Sequence, residues 1–264
     1  MTRLLPGLVM TVLWVLLLIF GSANLFWLIV TLIAIFGLYE YYKMTIAIPI
    51  GARLIQTITF SMAPILVSYF QRPDLFMPAL FVSLIGFILL SLKYHKRFGH
   101  ILLYLGFSSF GALYIGLCLA HMVLIRYLPE GALWLLVLTA VTAGGDTGAY
   151  YIGTNFGRRK LCPDISPGKT IDGAIGGIVV GSASAVAMGL LLLPEYNPMV
   201  IFTAAFVLSI VSIIGDLAES VIKRSAGMKD SGTILFGHGG VLDRIDGMLI
   251  TAPILYYILS LGLL

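Results

Sequence analysis

Apolar residues follow one another along this chain in runs close to twenty long, separated by short stretches that hold most of the charge. About 20 apolar residues in helical form cross a hydrocarbon core. The runs predict helices at 4–20, 24–42, 54–70, 75–92, 101–125, 132–152, 172–193, 199–224 and 244–263. Leu, Ile, Phe and Val are not interleaved with polar residues, so the alternation expected of β-barrel spans is missing. The predicted fold class is all-α, a polytopic transmembrane helical bundle of about nine spans. The first run also resembles a signal peptide, with Arg3 before it and Gly21-Ser22-Ala23 near its end, but eight further runs commit the chain to the membrane in any case.

Composition agrees with the pattern. Of 264 residues, 59% are hydrophobic and 11% charged, against about 25% charged in a soluble domain. Basic residues resist translocation, so their placement orients the bundle. If the runs alternate across the membrane, 14 of the 16 Lys and Arg residues fall on the side of the N-terminus, and only Arg72 and Arg126 on the other. That asymmetry predicts a cytoplasmic N-terminus and an outward C-terminus, with a bacterial cell (inner) membrane as the expected location. Cys118 lies within an apolar run and Cys162 in a loop assigned to the reducing side, so a structural disulfide is not expected. The net charge of +4, gathered on one face, favours anionic headgroups and nucleotides there, and no nucleic-acid partner is expected.

Up to residue 130 the chain reads as apolar spans joined by short loops, with no repeat and no motif. Residues 131–264 form a second half in which polar residues and glycines concentrate into three patches, all on the basic side. The first is Gly144-Gly145-Asp146-Thr147-Gly148-Ala149-Tyr150, followed by Arg158-Arg159-Lys160. A carboxylate in a bilayer helix costs about 2.5 to 3.5 kcal/mol on insertion scales, so Asp146 should face a polar cavity or pair with a nearby base. The three basic residues suit headgroup anchoring.

The second patch is Ser166-Pro167-Gly168-Lys169-Thr170-Ile171-Asp172-Gly173, at the entry to a helix. Free N–H groups and the positive dipole end favour a phosphate at such a place, although the upstream glycine of a P-loop is missing and a plain capped helix start fits as well. Gly173, Gly177, Gly181 and Ala185 then recur every four residues, a stripe suited to close helix packing.

The third patch runs from Gly215 to Asp246. Asp216, Glu219, Ser220, Lys223 and Arg224 fall at helical offsets 0, 3, 4, 7 and 8, which is one face. Asp243 and Asp246 are three apart at the head of the last run, so two acid-bearing helices could converge on one cavity and hold Mg²⁺ with substrate phosphates. Lys223, Arg224, Lys229 and Arg244 could offset phosphate charge, and the glycines beside His238 leave backbone N–H groups open to a ligand. Mutually satisfied ion pairs holding a bundle together are the competing reading.

Ser220, Lys223-Arg224, Lys229-Asp230, His238-Gly239-Gly240, Asp243-Arg244 and Asp246, in this order and spacing over 27 residues, resemble the signature of the phosphatidate cytidylyltransferases, also called CDP-diacylglycerol synthases. The Asp146 and Ser166-Pro167-x-Lys169-Thr170 patches are similar to family features too. Asp172, Gly168, Phe236 and Gly247 depart from the usual Glu, Lys, Pro and Ser. The resemblance implies transfer of a cytidylyl group from CTP to phosphatidic acid with release of pyrophosphate. It implies a Mg²⁺ centre, with a second cation as an option, on an Asp216 and Asp243 dyad, and a homodimer. Lys223, Arg224, Lys229, Asp230, His238, Arg244 and Asp246 would join that dyad in catalysis. Asp146, Ser166, Lys169, Thr170, Ser220, Gly239 and Gly240 would bind substrate. CTP would arrive from the cytoplasm and the lipid from the surrounding membrane. A secondary transporter with an intramembrane acidic ion site is the rival of another class; it predicts internal repeats and acids near mid-membrane, and neither pattern is found. A CDP-alcohol phosphotransferase would carry several aspartates at fixed spacing on adjoining helices with a different glycine and arginine pattern, and that pattern is absent.

Overall fold

The computed structural model describes residues 4–46, 51–232 and 239–263, with side chains from residue 7 onward. His238 of the signature, with Arg3, Phe236 and Gly237, lies outside the described residues. Among the described residues the structure is all-α apart from one small ribbon. Helices α1 (Leu4–Phe20), α2 (Ala23–Thr45), α3 (Ala52–Ser61), α4 (Ala63–Val67), α5 (Phe76–Lys93), α6 (Ile101–Gly111) and α7 (Cys118–Tyr127) precede α8 (Gly131–Phe156). Strands β1 (Lys160–Cys162) and β2 (Ser166–Thr170) follow, then α9 (Ile171–Leu192), α10 (Pro198–Ser225) and α11 (Leu242–Ser260).

Each predicted run contains helix, but not every run is one unbroken span. The third divides at Met62, whose N–H bonds back to Ile58, and Pro64 then opens α4 with no N–H to continue the ladder. The fifth is continuous because a π-helical turn, Ala112–Leu117, joins α6 to α7. Among the described residues, six helices are long and apolar enough to cross a membrane: Ala23–Thr45, Pro73–Lys93, Ile101–Tyr127, Gly131–Phe156, Ile171–Leu192 and Pro198–Ser225. The other three runs fall short for physical reasons: α1 has 17 residues, α3 and α4 are separate pieces, and α11 carries Asp243, Arg244 and Asp246 at its head.

The chain divides into two compact units. One comprises residues 1–127 and 226–244. Its core includes Phe26, Leu38, Tyr41, Tyr42, Ile65, Phe87 and Ile115. Several polar groups there are paired, as a bilayer interior favours. Tyr42 Oη contacts Ser61 Oγ at 2.5 Å and donates to the Ser108 carbonyl at 3.0 Å, and Trp27 Nε1 donates to the Ile65 carbonyl at 3.0 Å.

The other unit comprises residues 128–225 and 245–264. In it α8 and α9 lie backbone against backbone. A Cβ added at Gly148 would stand 2.7 Å from the Gly176 carbonyl oxygen, and one at Gly177 would stand 2.9 Å from that of Gly145. The small-residue stripe therefore does what its spacing predicted, and Gly144 and Gly148 supply its counterpart on α8. Between these helices the sequence suggested a simple turn. The structure has an antiparallel ribbon, β1 on β2, with Lys160 opposite Thr170 and Cys162 opposite Ser166 and an irregularity between them. Pro167 and Gly168 are poor strand residues, which hid it.

Candidate functional site

Local structure places Thr170 first. It is the N-cap of α9, its hydroxyl accepting the Gly173 N–H at 3.0 Å. The cap fixes where β2 ends, and with it the neighbouring Lys169. Asp172 accepts the Arg158 N–H at 2.9 Å and so ties the end of α8 to the start of α9. The Arg224 side chain donates to the Ile165 carbonyl at 3.1 Å, fastening the last turn of α10 to the ribbon.

A cavity of about 440 Å³ opens within this unit. Its walls are mostly apolar, and its polar lining comes from all three sequence patches: Asp146 on α8, Lys169 and Thr170 on β2, and Asp216 on α10. Ser209 and Ser212 add hydroxyls. Lys169 Nζ forms an ion pair with Asp216 Oδ2, both side chains being partly exposed, at 25% and 33%. A mostly apolar cleft with a few convergent charged groups is the usual form of a small-molecule site.

Deeper on the same face of α10, Glu219 is fully buried and paired with Lys223 at 2.5 Å. A buried carboxylate is tolerated only with such a partner. Asp216, Glu219 and Asp246 each bring one carboxylate oxygen to within 4.8 Å of the others. Glycines make this approach possible: a Cβ at Gly215 would stand 2.9 Å from the Asp246 carbonyl oxygen, and one at Gly247 would stand 2.9 Å from Ser212 Oγ. So α10 and α11 meet almost backbone to backbone at the acids. An all-oxygen donor set of this kind fits a hard divalent cation such as Mg²⁺ and does not suit thiolate-seeking metals.

Of the signature residues, Lys229, Asp230, Gly239, Gly240, Asp243 and Arg244 belong to the first unit. Asp243 accepts the Ser231 N–H with both oxygens, at 3.1 and 3.2 Å, and the Gly240 N–H at 2.7 Å. Gly239 takes a positive φ of 81°, and a Cβ there would stand 2.6 Å from Asp243 Oδ2, so only glycine fits. Lys229, Asp230 and Arg244 are exposed, while Ser166 and Ser220 are half-buried in the second unit.

The structure thus brings Asp146, Lys169, Thr170 and Asp216 to one cavity and Asp216 to Asp246. The acid that gathers beside Asp216 and Asp246 is Glu219, on the α10 stripe but outside the set of predicted site residues. Sequence reasoning also passed over Glu40, an acid 1% exposed near the end of α2. Its signal was available, because a lone carboxylate within an apolar run demands a partner.

A chain of apolar helices carrying charged side chains around a cavity and an acidic cluster defines an integral membrane protein with a polar site. The chain belongs to the Cytidylyltransferase family, whose profile it matches over residues 1–261. It is 40% identical over 157 residues to the phosphatidate cytidylyltransferase of Bacillus subtilis (strain 168), covering 59% of this chain and 58% of that protein. It is 45% identical over 155 residues to that of Brucella suis, covering 57% and 56%, and 36% identical over 174 residues to that of Staphylococcus haemolyticus, covering 66% of each. In each case the matched stretch is under two thirds of the relative's length.

Proposed function

We propose that this chain transfers the cytidylyl group of CTP to phosphatidic acid, giving CDP-diacylglycerol and pyrophosphate for phospholipid synthesis. The observation that carries the reading is the meeting of Asp146, Lys169, Thr170 and Asp216 around one cavity. Family membership and the activity for which the relatives are named support it. A phosphate oxygen of the lipid attacks the α-phosphorus of CTP, the bond from that phosphorus to the bridging oxygen breaks, and pyrophosphate leaves with the electron pair. The lipid phosphate is already ionised and needs no strong base, so the protein's work is alignment and charge.

Asp216, Glu219 and Asp246 would hold Mg²⁺, and a bound Mg²⁺ supplies neutralisation of phosphate charge. Assignment of Asp243 as a metal ligand beside Asp216, and of a second cation, rests on the signature alone. Lys169 is poised to trade Asp216 for a phosphate, and the exposed Arg224, Lys229 and Arg244, with Lys223, add positive charge. Ser166, Ser220, Gly239 and Gly240 offer hydroxyl or backbone donors to substrate, Asp230 and His238 complete the signature, and residues 131–264 form the catalytic half. Nine spans with a cytoplasmic N-terminus in a bacterial inner membrane, and a homodimer, are part of the same proposal.

The test is pyrophosphate release by detergent-purified protein given phosphatidic acid with CTP, UTP, ATP or GTP and Mg²⁺, beside Asp216→Asn. Release only with CTP and lipid together, lost in the variant, is the expected result. No release with any nucleotide from well-folded protein would refute the assignment.

A further inference from the structure

The first unit holds a buried carboxylate that the proposed chemistry does not use. Glu40 sits near the end of α2, 1% exposed. Its Oε1 accepts the Val241 N–H at 3.0 Å, and its Oε2 accepts the Leu242 N–H at 3.0 Å and the Ser231 hydroxyl at 3.2 Å. Val241 and Leu242 are the entry to α11, where backbone N–H groups have no partner within the helix. A carboxylate there satisfies two of them and meets the positive end of the helix dipole.

The other end of the arrangement is Asp243, which accepts the N–H groups of Ser231 and Gly240. Ser231 is therefore held twice, its hydroxyl by Glu40 and its amide by Asp243. The glycines flanking it confirm how closely the carboxylate is enclosed, because a Cβ at Gly232 or Gly240 would collide with the Glu40 carboxylate. Glu40 lies 191 residues from Ser231 and 201 from Val241, so this is a tertiary tie and not a local cap.

We propose that Glu40 is a positioning residue for the signature, setting the place of Asp243 and Arg244 by fixing Ser231 and the first N–H groups of α11. This rests on the proposed transfer only for its kinetic readout. Replacing Glu40 by Gln keeps the shape but turns an NH₂ donor toward N–H or O–H donors, so at least one tie becomes repulsive.

Glu40→Gln, Glu40→Asp and Ser231→Ala would be measured in full-length protein for kcat and KM toward CTP and phosphatidic acid. Amide hydrogen exchange at residues 240–243 would be followed by mass spectrometry. The expected result for Glu40→Gln is a kcat lowered by about tenfold or more with KM little changed, and faster exchange at Val241 and Leu242. Glu40→Asp should recover part of the rate, and Ser231→Ala should lose less than Glu40→Gln. Wild-type kcat and exchange in Glu40→Gln would overturn the inference. If Glu40→Gln does not fold, Ser231→Ala decides, and an unchanged rate and exchange there would overturn it equally. Should the wild type release no pyrophosphate, the transfer proposal falls while the exchange comparison still tests Glu40.

Discussion

Lys169 and Asp216 line the same cavity and form an ion pair there, one from the end of β2 and the other from α10. Each is a group the proposed reaction needs elsewhere, the cation for a phosphate and the carboxylate for a metal. Binding must then exchange one ion pair for two new ones. Lys169→Met should lower kcat/KM for CTP by about 100-fold, comparable with removing a charge-assisted contact. Because the two side chains share a contact, the double variant Lys169→Met with Asp216→Asn should lose much less than the product of the single losses, as steady-state kinetics on the four proteins would show.

The acidic cluster makes a separate prediction about metal. Removing divalent cations with a chelator should abolish pyrophosphate release, and added Mg²⁺ should restore it. Asp246→Asn takes away one negative ligand and should raise the Mg²⁺ concentration for half-maximal rate by about tenfold. A rate unchanged by chelation would remove the cluster from the mechanism.

Packing between α8 and α9 predicts a stability effect with a built-in control. Gly148→Val places new atoms against Val180 and the Gly176 carbonyl and should destabilise by about 1–3 kcal/mol, read as a lower melting temperature in detergent. Gly168→Ala, with nothing within 4 Å of the new carbon, should leave the melting temperature unchanged.

Orientation can be read by labelling. In a protein with Cys118 and Cys162 replaced, a cysteine at position 229 should react with an impermeant maleimide only after cytoplasmic access is opened. One at position 72 should react in intact cells. The reverse pattern would invert the proposed topology.

The helices were legible because a span must be apolar throughout, a demand that any twenty-residue window displays; the ends of α1 and α9 fall within a residue of expectation. What stayed hidden depends on three-dimensional neighbours. The β1–β2 ribbon pairs Lys160 with Thr170 and Cys162 with Ser166, and Pro167 and Gly168 within β2 carry no strand signature. Glu219 could be placed on a helix face from its spacing, but that Gly215 and Gly247 let Asp246 come beside it is a fact of packing. Glu40 lies about 200 residues from the backbone groups it holds, and no local pattern connects them.

The backbone contact of α8 with α9 has one further consequence. Two helices that meet through large apolar side chains in a bilayer exchange one greasy neighbour for another, so their pairing shifts with the lipids around them. Helices that meet through glycine bring backbone against backbone, as at Gly148 with Gly176 and Gly177 with Gly145, and less of the contact is left to side chains that an acyl chain could replace. The part of the cavity wall that these two helices build should therefore depend less on the surrounding acyl chains than a seam of large apolar side chains would.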